Sequence, residues 1–124
     1  MSKKILVVED EQSLLSALVA KFSKENFKVI EARDGEQGLE RALAEHPDLI
    51  LLDIVMPKMD GVTMLKRLRR NEWGKKVPVI MLTNLSDDKK VEEAVKFGSH
   101  DYLVKSDWSI NDVVKKVRSK LGIE

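Results

Sequence analysis

Asp48-Leu49-Ile50-Leu51-Leu52-Asp53-Ile54-Val55-Met56-Pro57-Lys58-Met59-Asp60-Gly61 is the stretch that decides the fold. Its first half is an uninterrupted apolar run, which suits a strand buried on both faces rather than an alternating, half-solvated one. The run ends in a carboxylate, and a proline and an Asp-Gly turn signal follow. A carboxylate at the tip of a buried strand must be desolvated, paired or bound to a cation. In an open α/β sheet that tip lies on the rim where ligands bind. Asp53 is therefore a structural carboxylate, a metal ligand or a nucleophile.

Strand-like and helix-like stretches alternate five times around this run. Ile5-Leu6-Val7-Val8 is a short apolar strand, and Leu14, Leu15, Leu18, Val19 and Phe22 then recur at helical spacing. Lys28 to Ala32 reads as a strand; Leu39, Ala42 and Leu43 give a short helix after Asp34-Gly35. Val62, Leu65 and Leu68 mark a helix after Gly61, and Val77 to Leu82 a further apolar strand. Ser86 to Phe97 reads as a helix with a thin apolar stripe (Val91, Ala94, Val95), ended by Gly98. Tyr102-Leu103-Val104 is the last strand, and Ile110, Val113, Val114, Val117 and Leu121 line the last helix. Ser109 and Asp112 form a capping-box variant at its start, with Trp108 placed to staple onto Val113. Five βα units imply a doubly wound, flavodoxin-like α/β domain: a five-stranded parallel sheet of order 2-1-3-4-5 with five helices. One domain over residues 1–124, without an effector domain, is expected.

Composition narrows the function. Lys+Arg 22 against Asp+Glu 21 gives a net charge of +1, so no basic excess exists to neutralise nucleic-acid phosphates. The absence of cysteine excludes disulfides, thiol catalysis and zinc–cysteine sites. No signal peptide or membrane-spanning run is read in the chain, so a cytoplasmic location away from membranes is expected.

The polar residues of interest fall at strand ends: Glu9, Asp10 and Glu11 after strand one, Asp53 after three, Thr83 after four, Lys105 after five. With strand one beside strand three, Glu9, Asp10 and Asp53 converge. Three carboxylates in one crevice raise each other's pKa unless cations neutralise them. Lys105 supplies one charge, and oxygen-only ligands suit Mg²⁺ for the rest. Taken singly, Asp10 or Asp60 reads better as a solvated carboxylate at a helix N-terminus. A carboxylate, a cation site, an ammonium and a hydroxyl together make a phosphoryl-transfer site. No GxxxxGK[ST] loop is present, so the phosphoryl group must come from a partner.

These residues resemble the receiver domain of two-component response regulators, the chemotaxis regulator being the single-domain type. The resemblance rests on Ile5 to Glu11, Asp48 to Gly61, Pro78 to Thr83 and Gly98 to Lys105, in order and over essentially the whole chain. It implies that Asp53 accepts phosphate from a histidine kinase or phosphotransfer protein. It implies that Asp10 and Asp53 bind Mg²⁺, with Glu9 acting through water and the Val55 backbone carbonyl as a further ligand. It implies that Thr83 and Lys105 contact the phosphoryl group. Thr83 and Tyr102 would be the switch, and helix four, strand five and helix five the surface for a downstream protein. A monomer or a weak, phosphorylation-dependent dimer is expected.

Three departures stand out. Ser106 replaces the family's usual proline after Lys105, so a trans bond or an altered loop is expected. Asn84 is bulkier than the family's preferred small residue and could partly gate the site. Val55 and Leu85 are both apolar where the family tunes hydrolysis, which predicts slow self-dephosphorylation. Among competing readings, a haloacid dehalogenase-type phosphatase needs a second Asp where Val55 stands, and an FMN module would be repelled by Glu9-Asp10-Glu11. A degenerate receiver that only binds proteins is the remaining alternative; Asp10, Asp53, Thr83 and Lys105 argue against it. A turnover enzyme is not expected. His46 and His100 read as surface residues.

Overall fold

The computed structural model describes residues 2–84, 88–99 and 101–123. Leu85, Ser86, Asp87 and His100, on which parts of the sequence reading fall, lie outside the described residues. Five strands and five helices alternate: β1 (Lys4–Val8), α1 (Gln12–Lys24), β2 (Lys28–Ala32), α2 (Gly35–Glu45), β3 (Leu49–Asp53), α3 (Gly61–Arg69), β4 (Val79–Thr83), α4 (Asp88–Lys96), β5 (Asp101–Val104) and α5 (Ile110–Leu121). The sheet is parallel throughout, in the order β2-β1-β3-β4-β5.

Every residue of β3 is buried, as its unbroken apolar run requires. Successive side chains point to opposite faces, and the core divides accordingly. Leu6, Val8, Ile50, Leu52, Val79 and Met81 pack with Ala42, Met64, Leu65, Leu68 and Ala94 of α2, α3 and α4. Ile5, Val7, Leu49, Leu51, Ile80 and Leu82 pack with Leu15, Leu18, Phe22, Val113, Val114 and Val117 of α1 and α5. This alternation also sets the direction of the residues that close each strand.

Two boundaries differ from the sequence reading. The fourth strand begins at Val79 rather than Val77. Pro78 has no N–H to donate, and the Val77 carbonyl is taken by Arg69 at 2.8 Å. Described helix α4 runs Asp88–Lys96, so Phe97 falls in the closing turn before Gly98 (φ 83°). Of its stripe only Ala94 is buried, while Val95 is exposed. A short 3₁₀ turn at Trp73–Lys75 was not expected. The capping box of α5 has both bonds: Asp112 N–H donates to Ser109 Oγ at 3.2 Å, and Ser109 N–H to Asp112 Oδ2 at 2.9 Å. Those bonds hold the Asp112 carboxyl below its usual range. Trp108 packs in the same cluster as Val113. His46 is exposed and stacks on Trp73, ring centroids 4.3 Å apart.

Candidate functional site

The strand ends of β1, β3 and β5 bring four charged side chains together. Glu9 and Asp53 are buried, and Asp10 is exposed at the rim. One carboxylate oxygen from each of Glu9, Asp10 and Asp53 lies within 4.8 Å of the others. The Lys105 ammonium bridges two of them, 2.8 Å from Glu9 Oε1 and 3.1 Å from Asp53 Oδ2. Glu9 Oε1 is fully buried and has the Lys105 ammonium as its ion-pair partner. Its second oxygen accepts the Glu11 N–H at 3.1 Å, which turns Glu9 back toward the start of α1. The sequence reading had Lys105 supply one charge to this crevice; that it bridges the buried Glu9 and Asp53 oxygens is the structure's addition.

Alternation explains who meets whom. Asp53 continues the Leu49 and Leu51 positions, and Lys105 continues Leu103, so both face the α1–α5 side. Thr83 continues Val79 and Met81 and faces the α4 side. Its hydroxyl donates to the Asn84 carbonyl at 2.9 Å. Thr83, Asn84, Asp88, Val91, Glu92, Tyr102 and Val104 line an open cleft of about 450 Å³. The Tyr102 side chain is 47% exposed at its edge. Thus Glu9, Asp10, Asp53 and Lys105 are brought together, and Thr83 and Tyr102 flank a neighbouring cleft. Val55 is 53% exposed in the loop after Asp53. The Lys105–Ser106 bond is trans, as expected from Ser106.

Electrostatics single out Asp53. Burial first, then the hydrogen bond and charge of Glu9, raise its carboxyl from 3.8 to about 8, against the opposing pull of Lys105. Burial pulls the Lys105 ammonium down, yet its bond to Glu9 and the charges of Asp53 and Glu9 outweigh that and leave it raised. One ammonium cannot balance three carboxylates. The donor set is all oxygen, and the raised Asp53 carboxyl records negative charge that Lys105 leaves unbalanced. A hard divalent cation such as Mg²⁺ fits these residues.

The loop between β3 and α3 is held by devices the sequence only hinted at. Asp60 caps α3, its Oδ1 accepting the Thr63 N–H at 2.8 Å, while its other oxygen faces Lys90 of α4 at 3.8 Å. Lys58, with φ 66°, reaches the α2 cap Asp34 at 3.9 Å. Gly61 looks like half of a turn signal, but a Cβ there would lie 2.2 Å from the Asp53 carbonyl oxygen. Its N–H donates to the Ile54 carbonyl at 2.8 Å. Gly61→Ala must push α3 off the strand end. A loss of about 2–3 kcal/mol in urea unfolding is expected, as for other overpacked sites. A loss below about 0.5 kcal/mol, the range of an ordinary surface change, would contradict this close approach.

Known proteins place the geometry. A family model described as the response regulator receiver domain matches residues 5–118. The alkaline phosphatase synthesis transcriptional regulatory protein PhoP of Bacillus subtilis is 38% identical over 94% of this chain and 49% of its own length. The response regulator ArlR of Staphylococcus saprophyticus is 36% identical over 95% of this chain and 52% of its own. The chain thus spans about half the length of these relatives. Among solved structures, the chemotaxis response regulator CheY4 of Vibrio cholerae superposes with a TM-score of 0.88 at 27% identity, covering 96% of this chain and 98% of that one. The receiver domain of a Pseudomonas aeruginosa sensor histidine kinase, solved with a magnesium ion in its active-site cleft, gives 0.87 at 28% identity, covering 98% and 99%. With the 2-1-3-4-5 sheet and the carboxylates at its rim, these matches make the chain a member of the response regulator receiver domain family of two-component signalling systems.

Proposed function

We propose that Asp53 is a phosphoacceptor, charged by a histidine kinase or phosphotransfer protein, and that its phosphorylation resets the surface formed by α4, β5 and α5. The observation that carries this reading is the Asp53 carboxyl itself. It is buried at a strand end, shared with Lys105, and crowded by Glu9 and Asp10. Glu9, Asp10, Asp53 and the Val55 carbonyl would hold Mg²⁺, with Glu9 acting through water. The bound ion would offset the carboxylate repulsion and neutralise oxygens of the incoming phosphoryl group.

An Asp53 oxygen attacks phosphorus as the P–N bond to the donor imidazole breaks, and the electron pair leaves with that nitrogen. The product is an acyl phosphate. Lys105 holds Asp53 in place and remains beside the new phosphoryl oxygens, so it stabilises charge without moving a proton. The Thr83 hydroxyl must leave the Asn84 carbonyl to reach a phosphoryl oxygen. Tyr102 then has the adjoining cleft to turn into. Helix α4 suits movement: it buries only Ala94 and is tied to α3 by the ion pairs Lys66–Glu93 and Lys90–Asp60. No polar side chain stands at Val55 to orient a hydrolytic water, so the acyl phosphate is long-lived and the domain is not a turnover enzyme.

No described helix is long and apolar enough to cross a membrane. We propose a cytoplasmic protein, monomeric or weakly dimeric when phosphorylated, whose output is a protein contact rather than direct binding of nucleic acid.

Incubation with acetyl phosphate and Mg²⁺ tests the reading. A phosphorylated species that persists for minutes or longer is expected, and none with Asp53→Ala. Loss within seconds would contradict the role given to Val55. No Asp53-dependent species, with a beryllofluoride mimic also silent, would leave a phosphorylation-independent binding module.

A further inference from the structure

At the opposite end of the sheet, Arg69 is an organising residue outside the carboxylate site. Its Nε donates to the Phe97 carbonyl at 2.7 Å, and its Nη1 to the Gly74 and Val77 carbonyls, each at 2.8 Å. These bonds fix the guanidinium plane between α3, the 3₁₀ turn and the end of α4. No carboxylate pairs with it among the described residues. Burial lowers its pKa, as for a cation without a counter-ion.

Its remaining nitrogen, Nη2, lies beside Gly98, 3.8 Å from where a Cβ would stand. Gly98 has φ 83°, a conformation that disfavours any side chain there. That side of the guanidinium therefore opens into a cleft of about 380 Å³, with Lys75, Lys76 and Lys120 around it and Val77, Pro78 and Val79 as its floor. Among the described residues no acidic side chain lines the cleft. Lys75 has Glu72 at 3.0 Å, and Lys116 and Lys120 share Asp101 at 3.5 and 2.7 Å. Four cations, Arg69, Lys75, Lys76 and Lys120, thus line the cleft against the two carboxylates Glu72 and Asp101 among the described residues, although the whole chain is nearly neutral.

We propose that this cleft binds a compact, multiply charged oxyanion of the phosphate class, a diphosphate group best, held by Arg69 Nη2 and the ammoniums of Lys75, Lys76 and Lys120. A guanidinium fixed by other bonds presents donors that need no ordering when the anion arrives. Among the described residues no aromatic ring lines the cleft, so charge is recognised and a nucleobase is not. Val79 opens β4, whose far end carries Thr83, so the cleft lies about 13 Å along the sheet from the phosphoacceptor rim. It does not depend on the function proposed for Asp53.

The test uses the ¹⁵N-labelled chain without Mg²⁺ at about 0.15 M salt, where weak long-range attraction is screened. Pyrophosphate, ADP and orthophosphate are titrated separately while the Arg69 Nε–H and Gly98 amide signals are followed. Saturable shifts with pyrophosphate, weaker with orthophosphate, are expected. ADP binding as tightly as pyrophosphate would assign the source to any diphosphate; ADP failing would restrict it to the free ion. The double variant Lys76→Gln/Lys120→Gln, checked for an intact spectrum, should weaken binding about tenfold or more. It should leave Asp53 phosphorylation unchanged. Non-saturating shifts, equal affinity in the double variant, or shifts centred on Asp10 and Asp53 would overturn the proposal. So would saturable binding of an acidic peptide with none of pyrophosphate.

Discussion

Replacing Lys105 with methionine is expected to destabilise the metal-free protein by about 3–5 kcal/mol, the range for removing one partner of a buried pair. The ammonium is the ion-pair partner of the buried Glu9 Oε1 and also touches Asp53. Methionine keeps the stem's volume and removes only the charge, so the loss reports electrostatics rather than packing. The buried Glu9 carboxylate is then left without its cation, beside an Asp53 carboxyl that the same loss pushes further toward its protonated form. Urea unfolding at pH 7 without Mg²⁺ measures the effect. Glu9→Gln added to Lys105→Met should recover much of the loss, because neighbours in one network are not additive. Phosphorylation of the single variant should fall about 10²-fold with Mg²⁺ saturating, the usual loss for one charge-stabilising donor. A destabilisation below about 1 kcal/mol, the range of a surface ion pair, would show that Lys105 does not hold the site.

Stability of the metal-free protein should fall as pH rises from about 4 toward 8. The Asp53 carboxyl has its folded-state pKa raised from 3.8 to about 8. Between those values the folded chain keeps a proton that the unfolded chain has released. The contribution of Asp53 is therefore complete below the unfolded value and is lost as pH climbs to the folded one. The limiting slope is about 1.4 kcal/mol per pH unit, and coupling to Glu9 and Lys105 lowers it to about 1. Asp53→Asn should flatten this slope and leave the variant more stable than the parent at pH 8. Mg²⁺ should stabilise the parent more at pH 8 than at pH 6, because the ion competes with the proton for the same oxygens. Equal slopes in parent and Asp53→Asn would show that the carboxyl is not raised.

Continuous apolar strands and polar strand ends made the architecture legible before any coordinates. A buried run such as Leu49 to Leu52 has few places to go other than the middle of a parallel sheet, and the order follows once strand one lies beside strand three. The carboxylate cluster was legible for the same reason, since parallel strands present their C-terminal ends together. Contacts between distant segments were not. Arg69 joins carbonyls from Gly74, Val77 and Phe97, which no spacing announces. Gly61 is defined by the Asp53 carbonyl above it, not by the Asp-Gly pair that suggested a turn. The orientation of Thr83, away from Asp53, could have been read from strand alternation. Its bond to its own neighbour's carbonyl could not.

Everything proposed for the rim depends on Asp53 carrying the phosphoryl group. The protein is treated with acetyl phosphate and Mg²⁺, then with borohydride, which reduces an acyl phosphate to an alcohol, and its peptides are mapped by mass spectrometry. Reduction is expected at Asp53 alone, requiring both Mg²⁺ and acetyl phosphate. Reduction at Asp10 or another carboxylate, or none at Asp53 while phosphate is incorporated elsewhere, would contradict it.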